Sequence, residues 1–123
     1  MNPSILIVED ADTCRDTLEI ALSSINGFTV LSCATAEDAL QELEHNPAVA
    51  VITDINLPGM NGYDLIRHIL RRCSPRPAIL VISGDTDPAT PQRVLTLGAD
   101  AFFPKPYSPA EVRRTLENLI HAF

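Results

Sequence analysis

The chain has 123 residues, 46% of them hydrophobic and 20% charged, the mix of one ordinary globular domain and far from that of a disordered chain. At this length folding buries roughly two-thirds of the unfolded surface, so neither disulfides nor a structural metal is required, and the three cysteines show no C-x-x-C spacing. A net charge of -7 argues against direct nucleic-acid binding, and the lack of a long apolar run or a leader-like start predicts no membrane partner and a cytoplasmic location.

The first apolar run, Ile5 to Val8, has strand length and is followed by Leu18, Ala21, Leu22 and Ile25 at helical spacing. Phe28 to Leu31 forms the second run, and Thr35-Ala36-Glu37-Asp38 then reads as a helix N-cap with an acidic first turn. Val49 to Ile52 precedes the helical positions Ile66, Ile69 and Leu70. Ala78 to Ile82 precedes a helix that Pro91 restricts to a start near Thr90, because a proline deeper inside would lose a backbone donor and clash. Ala101 to Phe103 is the fifth run. Ser108-Pro109-Ala110-Glu111 is a capping-box pattern with proline at N1, opening a helix marked by Val112, Leu116, Leu119 and Ile120 that is expected to run to the terminus. All five glycines fall in expected turns.

The runs are continuous rather than alternating, the pattern of strands covered on both faces. Strand and helix alternate five times, which predicts an α/β fold with a doubly wound parallel sheet. Such folds bind ligands at the carboxyl ends of their strands.

Residues at those ends are Glu9 and Asp10 after the first strand, Asp54 after the third, Ser83 after the fourth and Lys105 after the fifth. Like-charge pairs among three carboxylates cost on the order of 1 to 4 kcal/mol each at about 4 Å, so either a proton or a cation is needed. Oxygen ligands without histidine or cysteine favour magnesium. Lys105 is the only lysine in the chain and lies between Pro104 and Pro106, a setting for a compact point charge on a rigid stem.

Four motifs, I-L-I-V-E-D at 5 to 10, V-I-T-D-I-N-L-P-G-M-N-G at 51 to 62, V-I-S-G-D at 81 to 85 and G-A-D-A-F-F-P-K-P-Y at 98 to 107, together resemble the response regulator receiver domain of two-component signalling. The resemblance covers essentially the whole chain as one domain, 1 to 123, and implies a flavodoxin-like fold with strand order 2-1-3-4-5. It implies that Asp54 accepts a phosphoryl group from a phosphohistidine on a sensor histidine kinase or histidine phosphotransfer protein. Glu9, Asp10, Asp54 and the carbonyl of Asn56 would hold Mg2+, Ser83 would bond a phosphoryl oxygen, and Lys105 would pair with Asp54 and then with the phosphoryl group. Ser83 and Phe102 would form the switch, and Asn56 and Asp85 would tune dephosphorylation. Lys105-Pro106 resembles the family's cis peptide, and Ala11, Asp12, Arg15, Pro106 and Tyr107 its kinase-facing surface.

The resemblance further implies a phosphoacceptor that catalyses only its own phosphorylation and dephosphorylation, with an unidentified protein target and a monomeric or weakly dimeric state. The alternatives are a phosphorylation-independent interaction module and a receiver excised from a hybrid histidine kinase or larger regulator. A start at Met1 favours a stand-alone regulator or phosphorelay intermediate. Residues 1 to 61 hold ten carboxylates against Arg15 alone, and residues 62 to 123 six carboxylates against eight bases, so the halves carry -9 and +2. Arg67, Arg71, Arg72 and Arg76 are expected to form a solvated face, and His45, His68 and His121 to lie on helices away from the strand ends.

Overall fold

A computed structural model describes residues 2–121; Met1 and the two terminal residues, on which the expectations about the chain's start and its final helical residues fall, lie outside the described residues. The elements alternate as β1 (Ser4–Val8), α1 (Asp12–Ser23), β2 (Thr29–Cys33), α2 (Ala36–His45), β3 (Ala48–Asp54), α3 (Gly62–Arg72), β4 (Ala78–Ser83), α4 (Thr90–Leu97), β5 (Ala101–Pro104) and α5 (Pro109–Ile120). The strands form one parallel sheet in the order β2-β1-β3-β4-β5. The order reverses direction at β1 and β3, and this reversal opens a crevice at their carboxyl ends.

Alternation along the strands divides the core into two layers. Leu6, Val8, Val51, Ile79 and Val81 pack toward α2, α3 and α4 with Leu65, Ile66, Ile69 and Val94. Ile5, Ile7, Ile52, Leu80 and Ile82 pack toward α1 and α5 with Leu18, Leu22, Val112 and Leu116. The continuous apolar runs thus reflect burial on both faces in β1, β3 and β4, whereas the edge strands β2 and β5 are partly exposed. That exposure explains the shift of β2 two residues past its expected end: Ser32 and Cys33 pair with Ile7 and Val8 although the apolar run has stopped. Phe28 packs on the core from outside the strand.

The helix starts at Thr35 and Ser108 follow the expected chemistry, and Asn61 supplies a third cap of the same kind. Thr35, Asn61 and Ser108 each accept a hydrogen bond from the backbone N–H three residues on. The capping box at Ser108 is half made, since the described residues contain no return bond from Glu111 to the Ser108 N–H. α4 begins at Thr90 with Pro91 in its first turn, and α5 ends at Ile120, with His121 capping it beside Phe28 rather than continuing the helix.

Gly62 departs from the expectation that every glycine serves a turn. It is the first residue of α3, and a Cβ there would lie 2.4 Å from the carbonyl oxygen of Asp54 and 2.7 Å from Cα of Ile55. The glycine permits α3 to start directly against the end of β3. Arg76 is exposed, as are Arg67, Arg71 and Arg72, and it also grips both carboxylate oxygens of Asp100 at 2.8 Å and the carbonyl of Gly98 at 3.1 Å, tying the segment before β5 to the β4 side. Among the described residues no helix is long and apolar enough to cross a membrane.

Candidate functional site

β1 and β3 are hydrogen-bonded neighbours in register from Ile5 with Ala50 to Val8 with Thr53, so Glu9 and Asp54 leave the sheet side by side. Asp10 follows in the turn before α1. One carboxylate oxygen from each of Glu9, Asp10 and Asp54 falls within 4.8 Å of the others. Glu9 is fully buried and Asp54 5% exposed, while Asp10 faces solvent.

Lys105 reaches this cluster from beyond β5. Its Nζ donates to Glu9 Oε1 at 2.6 Å and to Asp54 Oδ2 at 2.7 Å. The backbone holds it there, since the Lys105 N–H donates to the Ser83 carbonyl at 2.7 Å. The Lys105-Pro106 and Ser74-Pro75 peptides are cis. Burial pulls the ammonium's pKa down, but its hydrogen bonds to Asp54 and Glu9 outweigh burial and leave it above the ordinary lysine value. Burial raises the Glu9 pKa; the Lys105 hydrogen bond opposes this and the nearby Asp54 charge reinforces it. Against three carboxylates, one ammonium leaves an excess of two negative charges. An all-oxygen donor set with that excess and an exposed third carboxylate fits a hard divalent cation.

The remaining oxygen of Asp54, Oδ1, accepts the backbone N–H of Asn56 at 3.0 Å. Ser83 closes β4, fully buried, and its hydroxyl accepts the N–H of Asp85 at 3.0 Å. Asp85 is turned toward α4, where its carboxylate accepts the N–H of Asp87 at 2.9 Å and the hydroxyl of fully buried Thr90 at 3.1 Å. Phe102 pairs in register with Val81 and packs on the α2–α4 side of the sheet, the face to which alternation also assigns Ser83. A cleft of about 450 Å³ beside Lys105 is lined by Thr13, Cys14, Thr17, Pro106, Tyr107 and Pro109.

Glu9, Asp10, Asp54 and Lys105 therefore meet as the strand-end argument requires. Two supporting residues escaped the sequence. Gly62 carried a signal in Asn61-Gly62, a turn-like dipeptide whose real constraint is close backbone approach, and Thr90 is a buried hydroxyl with no motif to mark it. The histidines stand apart from the cluster: His45 and His68 lie on α2 and α3, and Nδ1 of His45 bonds the Gln41 carbonyl at 2.9 Å.

Parallel order 2-1-3-4-5, acidic residues at the switch point and a lysine on the last strand's loop define a receiver-type α/β domain. The family model of the response regulator receiver domain matches residues 5–117, and the chain belongs to that family, whose members are regulatory phosphoacceptors that use magnesium. The sensory transduction protein RegX3 of Mycolicibacterium smegmatis is 37% identical over 109 residues, which cover 89% of this chain and 46% of that protein. The aerobic respiration control protein ArcA of Escherichia coli (strain K12) is 32% identical over 118 residues, 96% of this chain and 48% of that protein. The chain thus spans about half the length of these curated relatives. Among solved structures, the chemotaxis response regulator CheY4 of Vibrio cholerae superposes with a TM-score of 0.83 at 25% identity, covering 97% of this chain and 99% of that one. The receiver domain of the Francisella response regulator 1452 shares the fold at a TM-score of 0.87 and 21% identity, covering 98% of each chain.

Proposed function

We propose that Asp54 is the phosphoacceptor, receiving a phosphoryl group from a phosphohistidine on a sensor histidine kinase or histidine phosphotransfer protein, and that the transfer requires Mg2+. The observation that carries this reading is the bridge made by Lys105 Nζ between Glu9 Oε1 at 2.6 Å and Asp54 Oδ2 at 2.7 Å. A buried carboxylate with a fixed ammonium at one oxygen and a backbone N–H at the other is oriented for attack on phosphorus.

Glu9, Asp10, Asp54 and the Asn56 carbonyl would hold the magnesium. When bound, the metal supplies positive charge against the phosphoryl oxygens and the crowded carboxylates. Lys105 stabilises charge on the transferring group, so the protein's contribution is positioning and electrostatics. Ser83 releases the Asp85 N–H to donate to a phosphoryl oxygen, and Phe102, on the same face, repacks into the space left behind. Asn56, two residues beyond the nucleophile, offers no carboxylate for acid or base work on an external substrate, so the catalysis extends only to the chain's own phosphorylation and slow dephosphorylation. Asn56 and Asp85 tune dephosphorylation, Asn56 by setting the access of water and Asp85 through its hydrogen bond with Thr90 at the start of α4. The cleft beside Lys105 suits the approach of the donor histidine, and the setting is cytoplasmic.

The test is intact mass after incubation with acetyl phosphate, with and without Mg2+, beside Asp54→Asn. The expected result is a magnesium-dependent, base-labile gain of one phosphoryl group that the variant lacks. No gain, together with no metal binding, would overturn the reading and favour a phosphorylation-independent interaction module.

A further inference from the structure

α2, α3 and α5 start on side-chain caps, but α1 starts at Ala11, which has none to give. The turn before α1 carries Glu9 and Asp10, so the segment that most needs a fixed backbone lacks the usual restraint at a helix start. Arg15, one turn into α1, supplies it. Nη1 donates to the Glu9 carbonyl at 2.8 Å, and Nη2 donates to the Asp12 carboxylate. The two contacts grip the turn on either side of Asp10. Arg15 is the only lysine or arginine among residues 1–61, and its side chain is 20% exposed although its partner Asp12 is 84% exposed. The single arginine of this half is folded down onto the Glu9 carbonyl and the neighbouring Asp12, and not left extended into solvent.

We propose that Arg15 is a positioning residue for metal binding: its guanidinium fixes the backbone of residues 9–12 and so sets where Glu9 and Asp10 present their carboxylates. The inference rests on the reading of the acidic cluster as the metal site. A planar fork with several donors serves a carbonyl and a carboxylate at once, which a lysine ammonium on a flexible stem does not. Groups that orient metal ligands without touching the metal typically change affinity by about 10- to 100-fold when removed.

Charge alone predicts the opposite sign. Removing a cation beside an acidic cluster strengthens its attraction for a divalent ion, so a purely electrostatic Arg15 would make Arg15→Ala bind metal more tightly and Arg15→Lys bind as wild type.

The experiment measures Mn2+ affinity by the loss of the free-ion electron paramagnetic resonance signal, and Mg2+ affinity by calorimetry, for wild type, Arg15→Ala and Arg15→Lys at one ionic strength. Urea unfolding checks that each variant is folded. Positioning predicts affinity about tenfold weaker in Arg15→Ala, and clearly weaker in Arg15→Lys despite its retained charge. Faster amide hydrogen exchange at residues 10–12 in the metal-free variants is the accompanying signature. With acetyl phosphate, which needs no kinase contact, half-saturating Mg2+ rises more than the limiting rate falls. Unchanged or tighter metal binding overturns the proposal, as does a lower limiting rate at unchanged half-saturation, which would put Arg15 against the phosphodonor. Absence of binding by the wild type would instead overturn the reading of the cluster as a metal site.

Discussion

Lys105→Ala removes the ammonium from between two buried carboxylates, and its cost is predicted to depend on pH and on metal in a way that isolates the electrostatics of the site. Glu9 is fully buried, and the side chains of Asp54 and Lys105 are 7% and 24% exposed. Breaking a buried pair by removing one partner costs about 3 to 5 kcal/mol; the partial exposure of Lys105 puts this case at the low end, about 3 kcal/mol at pH 8 without metal.

In the wild type the lysine pKa is raised above its ordinary value, so its stabilising contribution is complete below that ordinary value and fades only as pH rises past it into strongly alkaline solution. Titration of the lysine itself therefore adds no pH dependence below pH 9. In the variant the titrating group is Glu9, whose pKa burial already raises above 4.5 and which now lacks its counter-charge. As pH falls below 4.5 Glu9 takes up its proton in the unfolded chain as well as in the folded one, and the penalty becomes small. It grows as pH rises through the folded-state pKa and then levels off. Urea unfolding of both proteins in EDTA from pH 4.5 to 8 gives the difference directly. A stability gap that widens with pH to about 3 kcal/mol and narrows on adding Mg2+ is expected. A gap below 0.5 kcal/mol, or one equal at both ends of the range, would refute the argument that Lys105 neutralises Glu9 and Asp54.

Asp10→Asn is expected to abolish Mg2+ binding by calorimetry and to stabilise the metal-free protein by about 1 kcal/mol in urea unfolding, because it removes an exposed charge that repels Glu9 and Asp54 from within 4.8 Å. Gly62→Ala forces a Cβ to within 2.4 Å of the Asp54 carbonyl oxygen; thermal unfolding should show a loss of about 1 to 3 kcal/mol, and Mg2+ affinity should fall because the end of β3 must move. Burial, with Asp38 and Glu42 nearby, pushes the Cys33 thiol up to about 12. At pH 8 its thiolate fraction is about one in ten thousand, against about a quarter for an ordinary thiol, so mass spectrometry after brief iodoacetamide treatment should find Cys33 modified only once urea unfolds the chain.

What was legible in the sequence follows from the length scale of each cause. Five apolar runs marked the strands, those of β1, β3 and β4 because burial on two faces leaves little room for polar residues, and the parallel order then forced Glu9, Asp10, Asp54 and Lys105 to one edge without reference to any coordinate. The end of β2 was not legible, since pairing of Ser32 and Cys33 with β1 is a backbone interaction indifferent to side-chain polarity. The close approach at Gly62 and the second contact of Arg15 were not legible for the same reason. Each acts on main-chain atoms of another segment, Gly62 by leaving room for the Asp54 carbonyl and Arg15 by bonding the Glu9 carbonyl, and main-chain positions are set by packing rather than by the residues that own them. The groups that perform the proposed chemistry could therefore be named from residue type and order, whereas the groups that aim them required the fold. Asp85 shows the same division: its place two residues beyond Ser83 assigned it to the phosphoryl crevice, but its carboxylate is engaged by Thr90 and the Asp87 N–H on the α4 side. Movement of Ser83 away from the Asp85 N–H would thus act on the start of α4, and the effect of Asp85 on phosphoryl lifetime should be reproduced by Thr90→Val, which removes the hydroxyl while keeping the shape. Equal decay rates for wild type and Thr90→Val, with Asp85→Ala altered, would show that Asp85 acts on water directly and not through α4.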